Sequence, residues 1–330
     1  MTNTTSGVWE VQGNLTLNSS NCGAPSFTNA GLVRKTAGSG AFQVVSCVLF
    51  TNDSILELQT GSFVVATSVN AVNAGLLDVG PGTTMNLNLM RLESGTTFSG
   101  AGTVALNGTT VVNTPVSMTV PVVQTGNTSG TGTIVLDAPM TWQAGLIGNA
   151  GGIEVNAPWT LTISTANQKV FDGAPLTNRG TVAWTGGTIF LQGNAAVANA
   201  ATGSLDVQAG LQLTSSNCGS PTFANAGLLR RSGATGTFTV GSCVAFSNTG
   251  TVQLRLGGTG AGQYDVLATA GATLGGTLDV TLVNGFVPSA GNAFDVVTYG
   301  SRTGSFAVID GHGQTYTPTY GANALRLQVP

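Results

Sequence analysis

Charge is what this chain has least of. Lys and Arg number 10 and Asp and Glu 13 among 330 residues, 7% in all, against about a quarter in ordinary soluble domains. Lysine occurs only at Lys35 and Lys169, and no basic run exceeds the doublets Arg34-Lys35 and Arg230-Arg231. With a net charge of −3, the chain has no basic surface to neutralise phosphates, so no nucleic-acid partner is expected. No apolar run approaches the ~18 residues of a membrane span, so no membrane insertion is expected. Residues 1–20 lack the basic start and apolar core of a secretory leader. Histidine occurs once, at His312 in a Gly-His-Gly stretch that reads as an exposed turn. One histidine and no G-x-S-x-G elbow argue against serine-hydrolase chemistry. The glycine-rich stretch 257–262 is not followed by a helical pattern, so it is not a nucleotide loop. No cofactor and no metal site are expected.

Glycine is plentiful, at 48 residues. It shows no period of three, which excludes collagen, and 42% apolar content excludes disorder. Gly31, Ser54, Gly75, Gly102, Gly132, Gly151, Gly180, Gly203, Gly227, Gly250 and Gly276 each open a short run with period-two alternation. The second residue after every marker is apolar, from Val33 and Leu56 to Leu278, and the fourth is apolar in nine of eleven cases. Such alternation marks a strand with one buried face. The markers recur every 19 to 30 residues, which predicts an all-β fold, a right-handed parallel β-helix (β-solenoid) of about 11–12 coils. Lys35 and Arg231 break the apolar rule at matching places, so the strand is predicted to end early there and turn outward.

The four cysteines, Cys22, Cys47, Cys218 and Cys243, form two pairs each 25 residues apart. The local coil interval is 23 residues at both places, so the partners of each pair sit on adjacent coils. Stacked strands lie about 4.8 Å apart and disulfides need Cα atoms roughly 4.4–6.8 Å apart. The pairings Cys22–Cys47 and Cys218–Cys243 are therefore expected, with four buried free thiols as the alternative. Each bridge contributes up to about 3.5 kcal/mol in the loop-entropy account. A zinc site is disfavoured by the single His and the absence of a C-x-x-C pair. Disulfides imply an oxidising setting, hence a secreted or cell-surface protein.

Residues 15–61 and 211–257 align without a gap and share 24 of 47 positions, including both cysteines of each pair. An Asn two residues before the marker recurs at Asn29, Asn52, Asn73, Asn149, Asn178, Asn225 and Asn248. Asn tolerates the positive φ of sharp corners, and stacked carboxamides can bond in a ladder. Asn3, Asn14, Asn18, Asn52, Asn107 and Asn127 lie in N-x-S/T, which in a chain so rich in Asn and Thr is expected by chance. The third residue after each marker faces outward, which predicts cross-coil ion pairs Arg34 with Glu57 and Asp206 with Arg230.

The texture changes after residue 260. Tyr264, Asp265 and Leu267, then Leu274 to Leu278 and Val280, then Gly285, Phe286, Pro288, Gly291, Phe294 and Val296, then Gly304 and Phe306 form a YDxL, LGGTLxVxL, GFxPxxGxxFxV and GxF series. This series resembles the end segment of secreted bacterial β-helical surface proteins, autotransporter-passenger-like and haemagglutinin-like, most strongly over residues 262–306. The resemblance implies a right-handed parallel β-helix at a cell surface, in adhesive or structural roles, with no catalytic residue. Two regions are expected: solenoid coils over 1–260, and further coils with a strand-rich cap over 261–330. Tyr316, Pro318 and Tyr320 are placed to cover the C-terminal strand edge. The N-terminal strands begin almost at once, with no amphipathic helix to cover them.

The expected function is a non-enzymatic structural or adhesive solenoid, able to assemble into filaments with itself or to bind surface or matrix components. The alternative is a polysaccharide-binding or polysaccharide-degrading β-helix. That chemistry needs convergent carboxylates, and the acids here are spread at about one per coil. Aromatics for sugar stacking are few, at 6% of residues. Outward threonines such as Thr103, Thr133, Thr181, Thr251 and Thr277 form no regular Thr-x-Thr array, which argues against an ice-binding face.

Overall fold

A computed structural model describes residues 1–20, 22–66, 71–208 and 210–330. Its strands stack in parallel coils as a β-solenoid of about 12 turns, with no helix among the described residues. The chain forms two compact units, Met1–Glu154 and Val155–Pro330.

Each coil carries three short strands. In the first unit, Ser26–Asn29, Leu32–Lys35 and Ala41–Val44 lie beneath Leu49–Asn52, Ile55–Leu58 and Ser62–Val65, strand on strand and in register. In the second unit, Lys169–Asp172, Pro175–Asn178 and Thr181–Trp184 are followed in the same way by Ile189–Gln192, Ala196–Asn199 and Ser204–Val207. Alternation fixes which side chains face in. Of the twenty-two second and fourth positions after the markers, all are buried, and the most accessible, Leu205, shows 4% of its surface. Aromatic rings pack along the interior, with Phe27 stacked on Phe50 (5.8 Å, 7°) in the first unit and Phe223 tilted against Phe246 (5.2 Å, 57°) in the second.

The markers do not all head one sheet. Gly31, Ser54 and Gly75 precede consecutive strands of one sheet, but the next strand there is Thr97–Gly100, which follows Thr96. Gly102 instead precedes Thr103–Leu106, which pairs with Thr84–Asn86 on a different face. In the second unit Gly180, Gly203, Gly227, Gly250 and Gly276 do precede successive strands of a single sheet. Three strands per coil start alike, so a turn residue before an alternating run identifies a strand but not its face.

The outward turn expected at the two breaks in the apolar rule does not occur. Lys35 remains in its strand and is wholly buried; at the matching place the strand Leu228–Arg230 does end before Arg231, yet Arg231 is only 3% exposed. Both side chains run inward because a long aliphatic stem packs in the core while its polar end reaches backbone carbonyls at the corner. Lys35 Nζ donates to the carbonyls of Ala37 (2.5 Å) and Gly38 (2.6 Å). Arg231 Nη2 donates to the carbonyl of Ala234 (3.1 Å). The same device recurs: Gln124 Nε2 donates to Gly126 O (2.7 Å), Trp142 Nε1 to Ala144 O (2.8 Å) and Trp184 Nε1 to Gly187 O (2.9 Å). An inward donor at the end of a strand thus satisfies carbonyls that the sharp corner turns away from any ladder. Lys169 Nζ is held likewise by the carbonyls of Thr165 and Asn167, both at 2.8 Å. Burial pushes both lysines below the usual ammonium range.

Asparagine supplies the other corner device. In the first unit Asn3 Nδ2 donates to Asn29 Oδ1 (2.8 Å), Asn29 to Asn52 (2.7 Å) and Asn52 to Asn73 (2.7 Å). In the second, Asn178 donates to Asn199 (2.8 Å), Asn199 to Asn225 (2.7 Å) and Asn225 to Asn248 (2.6 Å). All but Asn3 are buried. At the C-terminal end, Ala324–Gln328 pairs antiparallel with Ala293–Gly304 and with Thr317–Tyr320. Pro318 lies in that outer strand, and Tyr320 Oη accepts the Phe306 amide (3.0 Å). A short outer strand with proline is a poor template for further pairing.

Asn225→Ala removes the rung bonds with Asn199 and Asn248 and the bonds to the Gly227 and Thr251 carbonyls and should lower stability by about 1–3 kcal/mol, whereas Asn18→Ala on an exposed loop should change it by under about 0.5 kcal/mol. Urea unfolding followed by circular dichroism measures both. Equal losses would show that the ladder contributes nothing special.

Candidate functional site

The outward positions of the coils gather the polar chemistry into two columns. In the first unit the column runs Glu10, Arg34, Glu57, Asp78, Ser99 on neighbouring strands. Arg34 Nε lies 2.6 Å from Glu57 Oε2. Gln59 Nε2 donates to Glu57 Oε1 (2.6 Å), and Ser99 Oγ to Asp78 Oδ1 (2.7 Å). Burial pushes the Glu57 carboxyl up, but the bonds from Gln59 and Arg34 outweigh it and hold the group below the usual carboxylate range. Glu57 and Asp78 are register partners, so two carboxylates occupy matching positions on adjacent coils. Yet a general acid would need a raised pKa, and Glu57 is shifted the other way.

In the second unit the column runs Ala183, Asp206, Arg230, Gln253, Asp279, Asp310. Arg230 Nη2 is 3.3 Å from Asp206 Oδ2, which also accepts Ser232 Oγ (2.7 Å). Gln253 Nε2 donates to Asp279 Oδ2 (2.7 Å). His312 Nε2 lies 2.6 Å from Asp279 Oδ1, and its amide donates to Asp310 Oδ1 (2.9 Å). The hydrogen bond and charge of Asp279, with Asp310 adding to them, hold the His312 imidazole above its ordinary 6.5. His312 sits in the exposed Gly-His-Gly turn with φ 51°. The carboxylates of the column's end therefore engage neighbouring donors. No group of three or more His, Cys, Asp or Glu among the described residues is arranged to hold a metal ion.

A third cluster lies inside and escapes the marker pattern. Asp265, fully buried, accepts Arg231 Nε (3.0 Å) and the backbone amide of Gly236 (3.1 Å) on Oδ1. Its Oδ2 accepts Arg255 Nε (2.8 Å) and the Arg255 amide (3.0 Å). Arg255 Nη1 continues to the Gly233 carbonyl (2.6 Å). Asp265 belongs to the Tyr-Asp-x-Leu stretch on which the resemblance rests, and its role here is to tie two coils and the intervening loop. The other resemblance residues also pack: Phe294 receives Tyr264 (5.5 Å) and Phe286 (6.1 Å) edge-on.

The cysteines pair as Cys22–Cys47 and Cys218–Cys243, each with Cα atoms 5.0 Å apart, and none is free. Five of the six N-x-S/T asparagines have their carboxamides committed to the fold. Asn3 and Asn52 are ladder rungs, Asn14 accepts the Gly40 amide, Asn107 donates to Asn86, and Asn127 accepts the Leu146 amide.

Asp265→Asn leaves Arg231 and Arg255 without their counter-charge and should cost about 3–5 kcal/mol, read from urea unfolding; a loss below about 1 kcal/mol would remove the cluster's structural role. Because the folded pKa of His312 is raised, the pair with Asp279 stabilises fully below the ordinary imidazole value and fades as pH rises through the folded pKa. An NMR titration of the His312 ring should show a midpoint above 6.5, returning toward that value in Asp279→Asn. An unchanged midpoint in the variant would disprove the pairing.

Compared with models of known protein families and with curated proteins, the chain matches none.

Proposed function

We propose that this chain is a non-enzymatic scaffold of the extracellular space, a structural or adhesive solenoid at a surface or in a matrix. The observation that carries the reading is the destination of its scarce polar chemistry. The column carboxylates engage Arg34, Gln59, Ser99, Arg230, Gln253 and His312, and the buried Asp265 engages Arg231 and Arg255. Apart from Gln59 with Glu57 and Arg255 with Asp265, which brace a carboxylate locally, these pairs hold coil to coil, and they are spread along the coils instead of converging on one reactive point. Two coil-to-coil disulfides at matching places of the duplicated segments support an oxidising location. They also suit a part that must keep its shape without a cofactor or a partner subunit. End-to-end stacking of copies into filaments would have to accommodate the antiparallel hairpin at the C-terminal end.

The test is a side-by-side assay of the purified, oxidised protein. Beads coated with it should adhere to cell surfaces or matrix polymers, and the protein should release no reducing ends from a panel of neutral and acidic polysaccharides. Release of reducing ends that is lost in Glu57→Gln or Asp78→Asn would overturn the reading in favour of a depolymerase. Electron micrographs of the same sample report whether it forms fibres.

A further inference from the structure

On the outward face of the first unit an aliphatic ladder runs beside the charged column. Val8, Leu32, Ile55 and Leu76 are register partners on successive strands, each two residues before Glu10, Arg34, Glu57 and Asp78. The run ends at Thr97 beside Ser99. Val33, Leu56 and Leu77, which lie between the two columns in sequence, point inward and are fully buried. Ile55 has a coil on either side of it and is still 37% exposed.

The second unit shows what the fold itself requires at these places. At the offset of the duplication Val8 matches Ser204, Leu32 matches Leu228 and Ile55 matches Thr251. Thr277 continues that ladder, so three of its four rungs are hydroxyls. The inward positions stay apolar in both copies, with Val33 matching Leu229 and Leu56 matching Val252. Threonine suits an outward strand position as well as isoleucine does. The aliphatic ladder of the first unit is therefore not a demand of the coil. Contiguous apolar side chains left in water mark a surface that another molecule covers.

The neighbouring column sets the charge of that molecule. It holds three carboxylates, Glu10, Glu57 and Asp78, against one guanidinium, Arg34, which Glu57 engages. Among the described residues Asp78 accepts only from the neutral Ser99. A second copy of this face would bring like charges together, which disfavours it as the occupant. The strand spacing sets the shape. Rungs recur about every 4.8 Å. An α-helix laid along the ladder returns a side chain to one face about every 5.4 Å, and an extended chain does so about every 6.7 Å. Over the three steps from Val8 to Leu76 a helix drifts by about 2 Å and an extended chain by about 6 Å.

We infer that this face docks a cationic amphipathic helix of a partner protein. One aliphatic side chain per helical turn packs on Leu32, Ile55 and Leu76, and a lysine or arginine flanking that stripe reaches Asp78. Apolar anchors at i, i+3 or i+4, and i+7 are the pattern such a helix carries. Charge draws the helix to the face, and the aliphatic ladder holds it. The partner's place at a cell surface or matrix rests on the adhesive reading above; the fit of the face does not.

The probe is the fluorescently labelled peptide KLKKLLKKLLKKLK, whose leucines share one helical face, added to the intact oxidised protein. It should bind with an affinity that falls as salt rises, and gain helicity on binding. Ile55→Thr together with Leu76→Thr gives the first unit the hydroxyl rungs that the second already carries. That variant should keep its urea midpoint and bind the peptide about tenfold more weakly. Asp78→Asn should weaken binding about threefold and flatten its salt dependence. Fluorescence anisotropy reads both. Unchanged affinity in the threonine variant, or equal binding of the same peptide with glutamates in place of its lysines, would overturn the inference. Peptide binding is read without cells or polysaccharide, so its failure and a failure of bead adhesion are separate results.

Discussion

A buried carboxamide at corner after corner is the constraint that the rest of the structure follows. A side-chain amide carries both an acceptor and donors, and removing it from water is costly unless they are met. At the corners after Asn29, Asn52, Asn199 and Asn225, the carboxamide of the next coil meets that need, one strand spacing away and in the same azimuth. A slip of one residue would break every rung at once and turn each apolar residue to the other face. Register set in this way propagates outward. It stacks Phe27 on Phe50 inside and places Arg34 against Glu57 outside, so packing and charge pairing inherit the alignment that the asparagines impose.

The corners opposite the ladder solve a different difficulty with donors instead of amide chains. Where the backbone turns sharply, carbonyls converge without ladder partners, and Lys35, Gln124, Trp142 and Trp184 each bring an N–H from within the core. The chemistry is interchangeable because only a donor at a fixed reach is required. The duplicated segments show one such exchange. Lys35 meets carbonyls alone, whereas its counterpart Arg231 also meets Asp265 and, through it, Arg255. One substitution at a corner has thereby been elaborated into a buried ion cluster.

Much of this was legible in the sequence, and the parts that were not share a cause. Period two revealed the inward positions, and equal spacing brought Cys22 to Cys47, Arg34 to Glu57 and Asp206 to Arg230, because all of these depend only on counting along identical coils. Faces were not legible, since Gly75 and Gly102 introduce strands that look alike but belong to different sheets. Nor was the inward course of Lys35 and Arg231, because a hydropathy pattern scores a side chain as a whole while burial acts atom by atom. The Asp265 cluster was hidden for a third reason. The loop 257–263 folds back to bring the acid to Arg255, and a loop's path has no period to count.

The two disulfides change what a pull on the chain's ends can do. Each bridge joins residues 25 apart. When coils peel away under tension, the segment inside each bridge stays out of the load path, and about 85 Å of contour length per bridge remains hidden. The asparagine rungs from Asn29 to Asn52 and from Asn225 to Asn248 fall just beyond the first cysteine of each pair and straddle the second. A tether built this way would lengthen in unequal steps, short where a bridge shields a coil and long where none does. An oxidant or reductant in the surroundings would then set how far the chain extends.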